Sequence, residues 1–225
     1  VITLNAAISA CEKGGKWQHA LELLSEFKAG GLVPDVITIS AAISACEKGG
    51  QWTYALALLD AMRGADLEPN LITYNAAISA CAKETWERAL SLLDDMRKVG
   101  MAPDVISYGA AINACERGQN LEHALALLAE MRSVHLTPDV ITYSTAISAC
   151  ENSENWACAL WLMADMKNRN LLPRAITYNA AISACEKGLE WQRALILLVE
   201  MWRTEVEMTA ITYTAAMRAC ERASQ

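Results

Sequence analysis

Phenylalanine occurs once in this 225-residue chain, histidine three times and proline five times. With 53 % apolar residues and so little proline, the chain is not a disordered tether. Alanine, leucine and isoleucine dominate, which suits helices better than strands. The three histidines (His19, His123, His135) share no helix face, and no Cys-x-x-Cys pair exists. A zinc site therefore has no framework, and neither a metal nor another cofactor is expected. No uninterrupted apolar run is long enough to cross a membrane, so no membrane partner is expected. Positive charge is also short: Lys and Arg number 19 against 26 Asp and Glu, a net charge of −7. No repeat is strongly basic, which argues against a simple polyanion binder.

What is present is a repeat. The stretch Ile72-Thr-Tyr-Asn-Ala-Ala-Ile-Ser-Ala-Cys81 recurs at Ile2–Cys11, Ile37–Cys46, Ile106–Cys115, Ile141–Cys150, Ile176–Cys185 and Ile211–Cys220. Its closing cysteines lie 35, 35, 34, 35, 35 and 35 residues apart. A period of that length implies stacked supersecondary units. The repeats are 1–35, 36–70, 71–104, 105–139, 140–174 and 175–209, with a half-repeat at 210–225. The chain starts at Val1 in step with the repeat and stops just past the seventh cysteine, so a segment of a longer protein is expected. Equivalent positions in stacked helices sit roughly 8–10 Å apart, too far for a disulfide. The seven cysteines read as reduced, core-facing residues of a reducing compartment.

Repeat 1 shows the internal pattern. Leu4, Ala7, Ile8 and Cys11 fall on one helical face, and Gly14-Gly15 ends that helix. Trp17, Ala20, Leu21, Leu24 and Phe27 mark a second helix, Gly30-Gly31 ends it, and Pro34-Asp35 leads into the next unit. Each repeat is a helical hairpin, helix A then helix B, so the fold class is all-α. Repeat 3 is one residue short and has Lys83-Glu84-Thr85 at the A–B turn. Repeat 5 has Asn152-Ser153-Glu154-Asn155 there, where an asparagine can take the left-handed cap. Trp17, Trp52, Trp86, Trp156 and Trp191 begin helix B, and helical phase places them in the core between A and B. Met62, Met96, Met131, Met166 and Met201 read the same way. Nothing offers a nucleophile–base pair, a metal cluster or a phosphate loop, so the segment is not expected to be an enzyme or to bind a small-molecule substrate.

Two columns of polar residues have open readings. Asn5 and its equivalents begin helix A, and Asp35 and its equivalents precede the next helix. Both suit local capping, the acid also favouring the helix dipole. The thirteenth position is Lys13, Lys48, Lys83, Arg117, Asn152, Lys187 and Arg222, at the end of helix A. There a cation complements the macrodipole or makes a groove locally positive. Glu12 and its equivalents weaken such a groove. Acid on helix B (Glu26, Asp95, Glu130, Asp165, Glu200) assigns part of the negative charge to the other helix.

The period, the Gly turns, Leu71-Ile-Thr-Tyr-Asn75 and Met101-Ala-Pro-Asp104 together resemble the pentatricopeptide repeat. The resemblance covers the whole chain, and the Trp-x-x-Leu-Gly-x-x-Tyr helix of tetratricopeptide repeats is missing. It implies a right-handed α–α superhelix that binds single-stranded RNA at about one base per repeat. By resemblance, bases are read by the fifth and last residues: Asn5 with Asp35, Ser40 with Asn70, Asn75 with Asp104, Gly109 with Asp139, Ser144 with Arg174 and Asn179 with Thr209. Ile2, Ile37, Ile72, Ile106, Ile141 and Ile176 would sandwich the bases. Lys13, Lys48, Lys83, Arg117, Lys187 and Arg222 would meet phosphates. The family's code implies U-A-U for repeats 1–3, guanine for repeat 4, no assignable base for repeat 5 and a pyrimidine for repeat 6. The resemblance implies work in mitochondria or chloroplasts on transcript processing, stability, editing or translation, with protein effectors as further partners. The alternatives are a protein-interaction scaffold using the same groove, or a targeting segment beside a separate catalytic domain.

Overall fold

The computed structural model describes residues 2–82 and 85–222; the side chains of Ile2 and Thr3 lie outside the described residues. Among the described residues every regular element is an α-helix. In chain order these are α1 (Ile2–Lys13), α2 (Trp17–Ala29), α3 (Val36–Lys48), α4 (Trp52–Gly64), α5 (Leu71–Cys81), α6 (Trp86–Lys98), α7 (Val105–Arg117), α8 (Leu121–Ser133), α9 (Val140–Asn152), α10 (Trp156–Asn168), α11 (Ala175–Lys187), α12 (Trp191–Arg203) and α13 (Ala210–Arg222). Odd numbers are A helices and even numbers B helices.

The chain divides into two compact units, Val1–Ala114 and Cys115–Gln225. In the first, α1, α3 and α5 pack side by side, while α2 lies against α1 and α3, and α4 against α3 and α5. The second repeats this plan: α9, α11 and α13 form the row of A helices, α10 bridges α9 and α11, and α12 bridges α11 and α13. Among the described residues, no two B helices within a unit bring Cα atoms within 8 Å of each other.

Composition explains the asymmetry. An A helix is walled by other helices on several sides and needs small side chains for close approach. In α3 every residue from Thr38 to Cys46 is buried, four of the nine being alanine or cysteine and the rest Thr, Ile or Ser. A B helix buries one stripe, such as Ala89, Leu92, Leu93 and Met96 in α6. The five methionines of that stripe are all inaccessible. Cys46, Cys81, Cys115, Cys150 and Cys185 are likewise inaccessible. Burial pushes the thiols of Cys46, Cys81, Cys115 and Cys185 up to about 11, so they stay protonated and unreactive.

Helix ends follow one scheme. In repeat 1 the Lys16 amide donates to the Cys11 carbonyl at 2.9 Å and the Gly15 amide to Glu12 at 3.1 Å. This pair of bonds closes the helix around a left-handed residue, here Gly15 at φ +63°. The same closing bond reaches the carbonyls of Cys46, Cys115, Cys150 and Cys185. At the A–B turn of repeat 5 the left-handed residue is Glu154, not an asparagine. Asn155 instead caps α10, its side chain accepting from the Cys158 amide at 3.1 Å.

The tryptophans depart from the expectation of an A–B core. Trp17, Trp52, Trp86 and Trp156 are half-buried and Trp191 is exposed. Trp17 leans on the A–B turn of the following repeat: a Cβ added to Gly49 would lie 2.2 Å from its Cδ1. Trp156 meets Gly188 at the same 2.2 Å. The indole thus seals the junction between hairpins, and the glycine before the left-handed residue supplies the space.

Candidate nucleic-acid interface

The first turn of each A helix collects the residues singled out in the sequence. Ile37, Ile72, Ile106, Ile141 and Ile176 are 62–70 % exposed. Isoleucines so exposed, once per repeat, contribute nothing to the core. Next comes a buried hydroxyl: Thr38, Thr73 and Ser107 in the first unit, Thr142, Thr177 and Thr212 in the second. The fifth residue lies three positions, about one turn, beyond the isoleucine.

Two repeats bond the fifth residue directly to the last. Asn5 Nδ2 donates to Asp35 Oδ2 at 3.3 Å, and Asn75 Nδ2 to Asp104 Oδ1 at 3.2 Å. In repeat 2 the link is indirect, Ser40 Oγ meeting Thr73 Oγ1 at 2.6 Å, which donates to Asn70 Oδ1 at 2.9 Å. In the second unit, Asn179 Oδ1 accepts from Thr212 Oγ1 at 2.7 Å, and the Thr209 amide donates to the same hydroxyl at 3.1 Å. Ser144 Oγ bonds the Val140 carbonyl and Thr177 Oγ1, both at 2.7 Å. Arg174 carries no side-chain acceptor for capping α11; its backbone amide donates to Thr177 Oγ1 at 3.2 Å. Gly109 has no side chain to bring to a partner. Asp139 caps α9, accepting from the amide and hydroxyl of Thr142 at 2.8 and 2.7 Å.

Capping therefore coexists with any reading role. Asp35 also accepts the Thr38 amide, Asn70 the Thr73 amide and Asp104 the Ser107 amide, at 2.8, 3.0 and 2.8 Å. The Thr38 hydroxyl and amide, with Asn5, hold the Asp35 carboxyl below its ordinary range. Burial pushes Asp104 the other way, but bonds from Ser107 and Asn75 outweigh it and the net shift is downward. Both groups remain ionised, fixed acceptors for the amide at position five.

The basic column is largely neutralised. Lys48 Nζ lies 2.8 Å from Glu12, Lys187 3.6 Å from Glu151 and Arg222 3.6 Å from Glu186. Each cation thus pairs with the glutamate of the preceding repeat. Lys13 and Arg117 are exposed. Lys83 lies outside the described residues, as does the Ile2 side chain. Three of the helix B acids are not loose surface charge either. Asp95 pairs with Arg63 at 3.2 Å, Asp165 with Arg132, and Glu200 with Lys167.

In the second unit a groove of about 540 Å³ is lined by Ile176, Asn179, Ile211 and Thr214, together with Glu151, Glu186 and Arg218. Two exposed isoleucines from successive repeats and the amide of Asn179 share one concavity. Sequence reasoning gave no role to the third residue of the repeat. Its signal was present, since Thr3, Thr38, Thr73, Ser107, Thr142, Thr177 and Thr212 are all hydroxyl-bearing.

An array of helical hairpins with a polar ladder along the A-helix starts defines a helical-repeat protein. A family model for the pentatricopeptide repeat domain matches residues 22–84, 91–153 and 139–188, and one for the PPR repeat matches 2–32, 72–101 and 176–205. The chain belongs to the pentatricopeptide repeat family. No curated protein matches it in sequence. Among solved structures, it is similar to the pentatricopeptide repeat protein PPR10 from maize. Identity is 28 %, TM-score 0.68, covering 96 % of this chain and 31 % of that one. PPR10 in complex with an 18-nt psaJ RNA element matches at 18 % identity and TM-score 0.67, covering 99 % and 38 %. The PPR domain of Arabidopsis thaliana protein-only RNase P 1, in complex with tRNA, matches at 15 % and 0.69, covering 80 % and 95 %. Both likenesses below 25 % identity bear on the fold alone. The chain spans about a third of the length of PPR10.

Proposed function

We propose that this chain is a sequence-selective module for single-stranded RNA, reading about one base per repeat, with no catalytic step of its own. The observation that carries the reading is the groove where Ile176, Asn179 and Ile211 converge. Aliphatic walls exclude water from the faces of a flat base, and an amide offers both donor and acceptor to its Watson–Crick edge. The RNA complexes of PPR10 and of the RNase P domain support the same use of the fold. The module works in the mitochondrion or chloroplast on transcript processing, stability, editing or translation, by masking a site or holding an effector there. Any catalysis resides in a separate domain of a longer protein.

A second reading, a protein-interaction scaffold, is favoured by one observation. Lys48 and Lys187 are paired with Glu12 and Glu151, so the basic column offers phosphates less charge than its sequence promises. Binding to single-stranded RNA pools at several salt concentrations separates the two. RNA reading predicts selection of U-A-U in register with repeats 1–3, and a shift at the third base from U toward G in Asn75→Thr. No binding at low salt, with Lys48→Glu changing nothing, leaves the scaffold.

A further inference from the structure

We propose that the buried hydroxyl at the third position is a positioning residue for the preceding repeat, setting which polar atom of that repeat's fifth residue faces a bound base. The inference rests on the base-reading function above and extends the specificity-determining set by one residue per repeat.

Proton accounting makes the case. A hydroxyl has one proton to donate and two lone pairs. In repeat 2, Asn70 Oδ1 accepts the Thr73 amide, so the same oxygen must accept the Thr73 hydroxyl proton, at 2.9 Å. Thr73 Oγ1 then has only lone pairs for Ser40, 2.6 Å away, and the Ser40 proton points inward. What Ser40 keeps for a ligand is an acceptor. Repeat 5 reaches the same end differently. Arg174 offers no side-chain acceptor, so the Thr177 proton goes to Ser144, which passes its own to the Val140 carbonyl.

Asparagine repeats come out opposite. The Asp104 amide donates to Ser107 Oγ at 3.1 Å, and the one Ser107 hydroxyl proton lies between Asn75 Oδ1, at 2.5 Å, and Asp104 Oδ1, at 2.9 Å, the shorter contact being to the asparagine. Asn75 Oδ1 is thereby turned inward. One Nδ2 proton goes to Asp104, and the other is left to donate. In repeat 6 the Thr209 amide and Thr212 hydroxyl orient Asn179 Oδ1 the same way. Thr38 lies between Asn5 Oδ1 and Asp35 Oδ1 in repeat 1. An asparagine so held presents a donor, which suits a base carbonyl, and a serine so held presents an acceptor, which suits an exocyclic amino group. In repeats 1 and 3 the Asp35 and Asp104 carboxylates hold the Nδ2 end and the hydroxyl holds the Oδ1 end; in repeat 6 Thr209 stands in place of the carboxylate and the Thr212 hydroxyl orients the amide. Without the hydroxyl, the Asn179 amide is free to turn over and offer either end, while those of Asn5 and Asn75 are held from the Nδ2 side alone.

The test uses the whole chain and RNAs varied at single positions. Ser107→Ala removes the hydroxyl and is expected to reduce the U-over-A preference at the repeat-3 base about fivefold, the worth of one ordinary hydrogen bond. Preference at the repeat-2 base should stay as it was, and Ser107→Thr should restore discrimination at repeat 3. A purely structural role would lower thermal stability and affinity for all sequences alike. Thr212→Val in the second unit repeats the measurement should Ser107→Ala fail to fold. If Ser107→Ala keeps full discrimination while Asn75→Thr shifts it, the inference is overturned and the base-reading function stands. If the unaltered chain selects no base at any repeat, both fall.

Discussion

The A and B helices of one hairpin are nearly equal in length and are stabilised in different ways. An A helix is enclosed: nine consecutive residues of α3 are buried, and specificity comes from close packing of small side chains. A B helix is open, and polar staples tie it to the next repeat. Arg132 donates to the Tyr143 hydroxyl at 2.8 Å and pairs with Asp165, whose carboxylate also accepts the Tyr143 proton. Arg63 joins Tyr74, at 3.1 Å, to Asp95 in the same way. The tyrosine ring is fully buried at the A-helix start while its hydroxyl reaches the B row. The enclosed row holds the reading ladder rigid, and the open row is where repeats can differ. Trp202 stands where other repeats carry Lys28, Arg63, Arg97, Arg132 and Lys167, and it is 69 % exposed.

The same side chain placed in each row gives the largest contrast. Ile43 on α3 is inaccessible, and Ile196 on α12 is exposed. Ile43→Ala is expected to cost about 2–5 kcal/mol of unfolding free energy, the price of a buried cavity. Ile196→Ala should stay within about 0.5 kcal/mol. Denaturant titration of the two variants decides it, and equal losses would break the contrast between rows.

Filling the seat of an indole is the next effect in size. A Cβ at Gly49 or Gly188 collides with the tryptophan of the preceding repeat. Neither glycine needs a left-handed backbone, φ being −77° and −80°, so the cost is one of space. Gly49→Ala and Gly188→Ala should each lose about 1–3 kcal/mol. Trp17→Ala combined with Gly49→Ala should then lose less than the sum of the single losses, because the clash is gone.

The open row should also respond to acid. Burial works against ionisation of Asp165, but the Tyr143 hydroxyl and the charges of Arg132 and Arg169 prevail, and its carboxyl lies below the ordinary range. A depressed folded-state value means the stabilisation is complete above the unfolded value, near 3.8, and fades as pH falls through the lower, folded one. Asp35 and Asp104 act with the same sign at the A-helix starts. Asp165→Asn should thus remove only part of the acid sensitivity, with a loss of about 1–2 kcal/mol at pH 7 that narrows toward pH 3. Thermal melts of both chains across that range give the comparison.

Hairpins and the buried places of Cys46, Cys81, Cys115, Cys150 and Cys185 were legible in the sequence, because a repeated position repeats its environment; Cys11 and Cys220, expected in the core with them, are half-buried, and the exposed isoleucines were legible through the family resemblance alone. Asn5 with Asp35 and Asn75 with Asp104 were legible as pairs through family resemblance alone, since 30 and 29 intervening residues hide the contact. The Lys48–Glu12 pairing was not legible: helical phase gives each residue's face, not the stagger of successive A helices. Trp17 was misplaced for the same reason. Its apolar character predicted burial, but the neighbour that half-buries it, Gly49, belongs to the following hairpin.

The smallest effect concerns the turns that both rows share. Leu189 sits at φ +59°, the place that Gly15 and Gly50 hold at +63° and +67°. A Cβ in that region is crowded by backbone oxygen, at roughly 1–2 kcal/mol. Glycine removes the crowding but loses more backbone freedom on folding, roughly 0.5–1 kcal/mol. Leu189 is also 58 % exposed, so little packing is lost with its side chain. The balance predicts that Leu189→Gly stabilises by about 0.5 kcal/mol, and Leu189→Asn by slightly less. A lower melting temperature in both variants would mean that the turn depends on Leu189 for packing as well as for backbone shape.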